Sequence, residues 1–319
     1  MFKMRLKSIQ VLAFVEGVVM AAANGICLVK NGFRLLLSAV AVCLVCSVNS
    51  ALALSWDPSD AGTGLVAWYD ASTTNDLTIT SGRVDVMLDR SGNGLHLTDP
   101  VRNVGDKPDY HTSMINGLGA IYFDTWNGRK LTGIPDIDCT NVCIVSVMMG
   151  SSGDSPTAGK VASTDGSDSL EVYESSNTTS GKGNAMVKVD NVGCNTATAY
   201  NAALAVQVPH IYAVWYDGSE SAGRANGGVV SSANTGAPDG ATFTINEIRF
   251  GRSANTPKNY VGESVILNIA DMDTIEKVEG YLAHKWGLLS ALPEDHPYRY
   301  SEPDAPIPPA PAGTVIIIR

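Results

Sequence analysis

Beyond Trp56 the chain alternates short apolar runs with clusters of Gly, Asn, Ser and Asp. Nine runs have the composition or the two-residue period of β-strands: GLVAWYDA (64–71), RVDVMLD (83–89), GAIYFD (119–124), VCIVSVMMG (142–150), SLEVYES (169–175), AMVKVD (185–190), HIYAVWYDG (210–218), TFTINEIRFG (242–251) and ESVILNIAD (263–271). In the second run Val84, Val86 and Leu88 alternate with Asp85, Met87 and Asp89, which predicts a strand with one buried face. The segments RSGNG, MINGLG, SSGD, SNTTSGKGN and SANTGAPDG supply the turns. Many short strands joined this way predict an all-β, two-sheet antiparallel sandwich of the jelly-roll kind.

The period changes once, near the C-terminus. Ile275, Val278, Leu282, Trp286 and Leu289 recur at helical spacing, predicting a single C-terminal amphipathic helix. Asp273 is the expected N-cap, with Glu276 three residues on completing a capping box, and Gly287 the expected left-handed stop. This stripe is expected to bury Trp286 against the sandwich, with His284 and Lys285 off its centre and Glu276, Lys277 and Glu279 toward solvent. The segment VEGYLAHKWGLLSALPEDHPY therefore reads as a clamp: that arrangement does not bring Glu279, His284 and His296 to one point.

The ends differ from the middle. A basic flank, Lys30 to Arg34, precedes an apolar run from Leu35 to Val48, and Ala51–Leu52–Ala53 forms a small-residue cleavage pattern, so residues 1–53 read as a signal peptide or hydrophobic leader. Glu16 and Asn24 interrupt the apolar segment ahead of it, which favours a leader over membrane-embedded helices. Residues 54–300 are the expected domain. Residues 301–319 read as a stiff Pro-rich tail ending in TVIIIR, a strand-like hexapeptide suited to pairing with a sheet edge in the same chain, in a second copy or in a protein partner.

Charge narrows the partners. The chain carries a formal −10, and loss of residues 1–53 removes five basic residues and one acid, leaving about −14. Such a surface is repelled by phosphate backbones, so no nucleic-acid partner is expected. Charged residues are only 17%, a balance common in loop-rich extracellular β proteins. Cys139, Cys143 and Cys194 follow the leader, an odd number: Cys194 could bridge to either of the others, or Cys139 to Cys143, with one thiol left over in each case.

The runs LVAWYDAS, VMLDRSGNGLHLT, KPDY, INGLGAIYFD with KLTG, and IEKVEGYLAHKWGL with LPEDHPY together resemble the concanavalin A-like, LamG-type jelly-roll domains of bacterial extracellular proteins and phage surface proteins. The resemblance covers about residues 56–300 and is most specific at its two ends. It implies a two-sheet sandwich used as a carbohydrate-binding or adhesive module, secreted or on the cell surface. The alternatives are a structural surface protein, such as a phage decoration or tail component, and a glycoside hydrolase, since the superfamily also contains glycosidases.

Candidate chemistry is sparse. The loop DTWNGRK offers Trp126, Asn127 and Arg129 as a sugar-stacking and hydrogen-bonding platform, the glycan-binding residues expected here. Asp89 and Asn93 in DRSGNG, and Asp165 and Asp168 in TDGSDS, are candidate calcium ligands, although DRSGNG suits an Asx-type turn better. No cofactor other than calcium is expected. No catalytic residues are assigned, because the nearest carboxylate group to a glycosidase pair, Asp271, Asp273 and Glu276 in DMDTIE, sits where a helix begins.

Overall fold

A computed structural model describes residues 56–99, 107–123, 129–150, 156–163, 169–177, 182–190, 197–198, 204–205, 207–218, 220–234, 243–251 and 259–303, with Leu170 the one side chain placed between 156 and 205. Their strands, in chain order, are β1 (Leu65–Asp70), β2 (Leu77–Thr80), β3 (Arg83–Met87), β4 (Leu97–Thr98), β5 (Asp109–Ile115), β6 (Leu118–Phe123), β7 (Lys130–Gly133), β8 (Ile137–Cys139), β9 (Val142–Gly150), β10 (Pro156–Ser163), β11 (Ser169–Asn177), β12 (Lys182–Asp190), β13 (Ala197–Thr198), β14 (Leu204–Ala205), β15 (His210–Tyr216), β16 (Glu220–Ala225), β17 (Ser231–Asn234), β18 (Phe243–Ile245), β19 (Ile248–Gly251) and β20 (Asn259–Leu267). One α-helix follows, α1 (Met272–Trp286).

The strands form an antiparallel sandwich, as their pattern predicts. A large curled sheet runs β17-β16-β15-β9-β20-β6-β5-β3-β4-β7-β19, with β1 also on β20 and β2 on β3; β10 to β14 form a second sheet. The second sheet lies over the first, β11 against β15 and β12 against β16. Between them sits one core, which includes Tyr69, Ile144, Met148, Tyr212, Tyr216 and Leu170. A second core lies on the other face of the large sheet, where Cys143, Val145, Trp215 and Val265 meet Ile275, Val278, Leu282 and Trp286 of α1. With both faces covered, every residue of β9 and β15 is buried, which is why VCIVSVMMG and HIYAVWY are continuously apolar rather than alternating.

Three local expectations are corrected by backbone geometry. In β3 the buried residues are Val84 and Met87, while Val86 and Leu88 are only half-buried. Thr78 faces Val86 but the next residue, Ile79, faces Val84, so Asp85 is an extra residue that bulges and switches the faces. TFTINEIRFG is two strands, β18 pairing with β8 and β19 with β7. The long strand β20 begins earlier than expected and ends at Leu267, which moves the helix start: Asp271, not Asp273, is the N-cap, its Oδ1 accepting from the Thr274 N–H at 3.0 Å. Asp273 instead pairs with Lys277 one turn on, at 2.5 Å.

Two turns seat the helix. Gly287 ends α1 in the left-handed conformation (φ 65°), as expected. The β5–β6 hairpin turns at Asn116 and Gly117, both at positive φ (48° and 87°), the conformation that favours Asn-Gly. The Asn116 side-chain amide donates to the Trp286 carbonyl at 2.7 Å, so the hairpin tip satisfies a helix-end acceptor.

Candidate functional site

The C-terminal cluster holds α1 onto the sheet through two buried polar groups. In the first, the fully buried Glu263 accepts at Oε1 from the Trp68 indole (2.7 Å) and the Tyr281 hydroxyl (3.1 Å), and at Oε2 from the Trp286 indole (2.7 Å) and Lys285 Nζ (2.7 Å). Lys285 also reaches Asp70 at 2.7 Å, and Asp70 receives Arg90, whose guanidinium stacks 4.1 Å above the Trp68 ring. Alternating charges thus run from the surface inward to Glu263. Burial pushes the Glu263 carboxyl up, against the pull of Lys285. Burial acts the same way on Asp70, but there Lys285 and Ser72 outweigh it and the carboxyl falls below its ordinary value. Burial and the Glu263 charge drive the Tyr281 phenol far up, so it stays protonated.

The second group corrects an expectation. Glu279 does not face solvent: it is fully buried, and Arg224 of β16 grips both its oxygens (2.9 and 2.5 Å). His296 approaches the same carboxylate at 3.2 Å, so Glu279 and His296 do meet. His284 turns the other way, its Nε2 lying 3.1 and 3.0 Å from the Tyr298 and Ser301 carbonyls. The exit folds back on the helix, Tyr298 and Pro303 packing over Gly280, where a β-carbon would lie 2.4 Å from Tyr298 Cβ. Both polar groups are saturated by internal partners, and the clamp reading accounts for them.

DRSGNG folds as a turn closed by its own side chains. Asp89 Oδ1 accepts from the Trp68 and Ser91 amides, and Oδ2 from the Ser91 hydroxyl and the Leu95 amide, while the Asn93 side chain donates to the Leu65 and Val66 carbonyls at 2.9 Å. Asp165 and Asp168 lie outside the described residues. Among the described residues no group of three His, Cys, Asp or Glu side chains is arranged to hold a metal ion. In DMDTIE each carboxylate has a local partner: Asp271 caps α1, Asp273 pairs with Lys277, and Glu276 lies 3.6 Å from Arg224.

Of the loop DTWNGRK, Trp126 and Asn127 lie outside the described residues, and Arg129 is buried with its guanidinium 2.5 Å from Asp109 Oδ2. That contact leads to a feature the sequence reading missed. Asp109 of β5 faces Tyr122 of β6, and Tyr122 faces Tyr260 of β20, so the three form one row across adjacent strands. The two tyrosine rings stand 4.7 Å apart and tilted by 32°, and the His111 ring meets both edge-on at 5.4 and 5.5 Å. All four side chains are half-buried, so the cluster reaches the surface beside the Trp286 end of α1. Burial, then the Asp109 charge, pushes the Tyr260 phenol up. β6 ends at Phe123, one residue after Tyr122, and the side chain of Arg129, the residue before β7, returns to Asp109 of this row.

Neither a family model nor a curated protein matches the chain. Among solved structures it is similar to the botulinum neurotoxin type G receptor-binding domain (11% identity, TM-score 0.49, covering 70% of this chain and 51% of that one). It is also similar to domain 4 of AbnA, a GH43 extracellular arabinanase from Geobacillus stearothermophilus, in complex with arabinotriose (18%, 0.45, 64% and 91%). A third is the Trypanosoma rangeli sialidase in complex with sialic acid (11%, 0.45, 70% and 33%). The chain thus spans about half the length of the neurotoxin domain and a third of the sialidase.

Proposed function

We propose that residues 54–300 are a non-catalytic carbohydrate-binding module acting outside the cell. The observation that carries this reading is the half-buried row of Tyr122 and Tyr260, braced by His111 and flanked by Asp109, at the point where Tyr260 packs against the edge of the core under α1. Aromatic faces and edges take the C–H surfaces of sugar rings, and an adjacent carboxylate and planar cations satisfy hydroxyls. Trp126 and Asn127, on the segment that joins Tyr122 to Arg129, complete the platform in this reading.

The test is a glycan-array screen of the full-length protein, followed by titration of the best ligand with Tyr122→Ala, Tyr260→Ala and Trp126→Ala. Each substitution is expected to weaken binding about tenfold, the loss of a contact worth about 1.4 kcal/mol, with Trp126→Ala leaving the melting temperature nearly unchanged. Because the Asp89 carboxylate is filled by four internal donors, the Trp68 amide of β1, the Ser91 amide and hydroxyl and the Leu95 amide, a chelator is expected to leave binding intact. Retention of no glycan, or full affinity in both tyrosine variants, would overturn the reading.

A further inference from the structure

The row contains a fixed carboxylate as well as rings, and its surroundings select a ligand class. Asp109 is held by one arginine on each oxygen, Arg83 Nη1 at 2.7 Å on Oδ1 and Arg129 Nη1 at 2.5 Å on Oδ2. Arg83 is itself oriented by the Lys107 carbonyl at 3.0 Å. An ionised carboxylate has about four lone-pair positions, so each oxygen still has acceptor capacity after its arginine is bound. The Asp109 side chain is 27% exposed, Arg83 24% and Arg129 9%, so the acceptor reaches the surface with Arg83 beside it and Arg129 beneath. Directly opposite residues on neighbouring strands have β-carbons about 5 Å apart, which puts this acceptor pair beside the Tyr122 ring.

The nearby cations already have carboxylate partners. Both arginines are committed to Asp109, and Lys107 is committed to Asp85 at 2.5 Å. A ligand carboxylate would therefore compete with Asp109 for its two arginines, on a chain whose formal charge is −10. Two adjacent hydroxyls match the site better: each donates to one carboxylate oxygen while the sugar ring lies against the tyrosines. The Tyr260 phenol, kept protonated by burial and by Asp109, keeps its own hydroxyl to donate.

We infer that Asp109 is the specificity-determining residue of this site, accepting a vicinal diol of a neutral glycan and rejecting uronate or sialate sugars. The inference rests on the carbohydrate-binding reading of the same row. Its test is affinity electrophoresis of the full-length protein through gels containing xylan, arabinan, β-glucan, polygalacturonate or a sialylated mucin, with wild type, Asp109→Asn and Tyr260→Ala.

Retardation is expected from at least one neutral polymer and not from polygalacturonate or mucin, with Asp109→Asn weakening it about tenfold at an unchanged near-ultraviolet circular dichroism spectrum. Preference for an acidic polymer, or tighter binding by Asp109→Asn, would overturn the assignment; if Tyr260→Ala still abolished binding, the aromatic site itself would stand. Unchanged binding in both variants would remove the site and the inference together. Should Asp109→Asn fail to fold, the neutral-against-acidic comparison on the wild-type chain decides alone.

Discussion

Arg224 holds Glu279 through two parallel hydrogen bonds, Nε to Oε1 at 2.9 Å and Nη2 to Oε2 at 2.5 Å, with the carboxylate wholly out of solvent. Burial works against both charges, and the geometry offsets that penalty only while the pair is complete. Glu279→Ala is therefore expected to destabilise the fold by about 3–5 kcal/mol, leaving a buried guanidinium with Glu276 alone nearby. The double variant Arg224→Met/Glu279→Leu is expected to recover most of that loss. Urea unfolding of the three proteins measures both.

Stability should respond to pH from two sides of one lysine. Glu263 is raised in the folded state, so its contribution is complete below the unfolded carboxyl value and declines as pH rises through the folded one. Asp70 is lowered, so its contribution is present above its unfolded value and is lost as pH falls through the folded one. Asp70→Asn should flatten the acid limb of the stability profile and Glu263→Gln the limb on the rising side. Urea midpoints at intervals from about pH 3 to 9 would show the two effects separately.

Gly262 is required by the ring above it. A β-carbon there would lie 2.6 Å from Trp286 Cη2, and the strand register against β9 shifts at this residue. Gly262→Ala is expected to destabilise by about 1–3 kcal/mol through overpacking, and Trp286→Ala by about 3–5 kcal/mol through loss of the ring. Combined, the two should fall short of their sum, because removing the ring removes the clash. Thermal or urea denaturation of the set tests this.

Cys143 is a free thiol wholly buried under α1, which excludes the bridges that would have joined it to Cys139 or Cys194. Burial first, and then Glu279, pushes its ionisation up, so the reactive thiolate is suppressed. It should resist a thiol reagent in the native protein and react fully only in denaturant, which a colorimetric thiol titration with Cys143→Ala as the control would register.

What the sequence made legible is what one element decides by itself. The limits of β9 were readable because both its faces are apolar, and the stripe from Ile275 to Trp286 because a helix repeats its buried positions locally. The partner of Glu279 lies 55 residues away, and nothing near Glu279 marks it as buried. Asp271 and Asp273 are equally suitable caps; the choice between them followed from β20 ending at Leu267. The row of Asp109, Tyr122 and Tyr260 is drawn from three strands and exists only once their register is set, so no pattern within KPDY or GAIYFD alone could show it.

The amide of Asn116 on the Trp286 carbonyl joins residues 170 positions apart. A lesion in that early β-turn would accordingly surface as fraying at the last turn of α1, and a scan for helix defects confined to the C-terminal stretch would look in the wrong half of the gene.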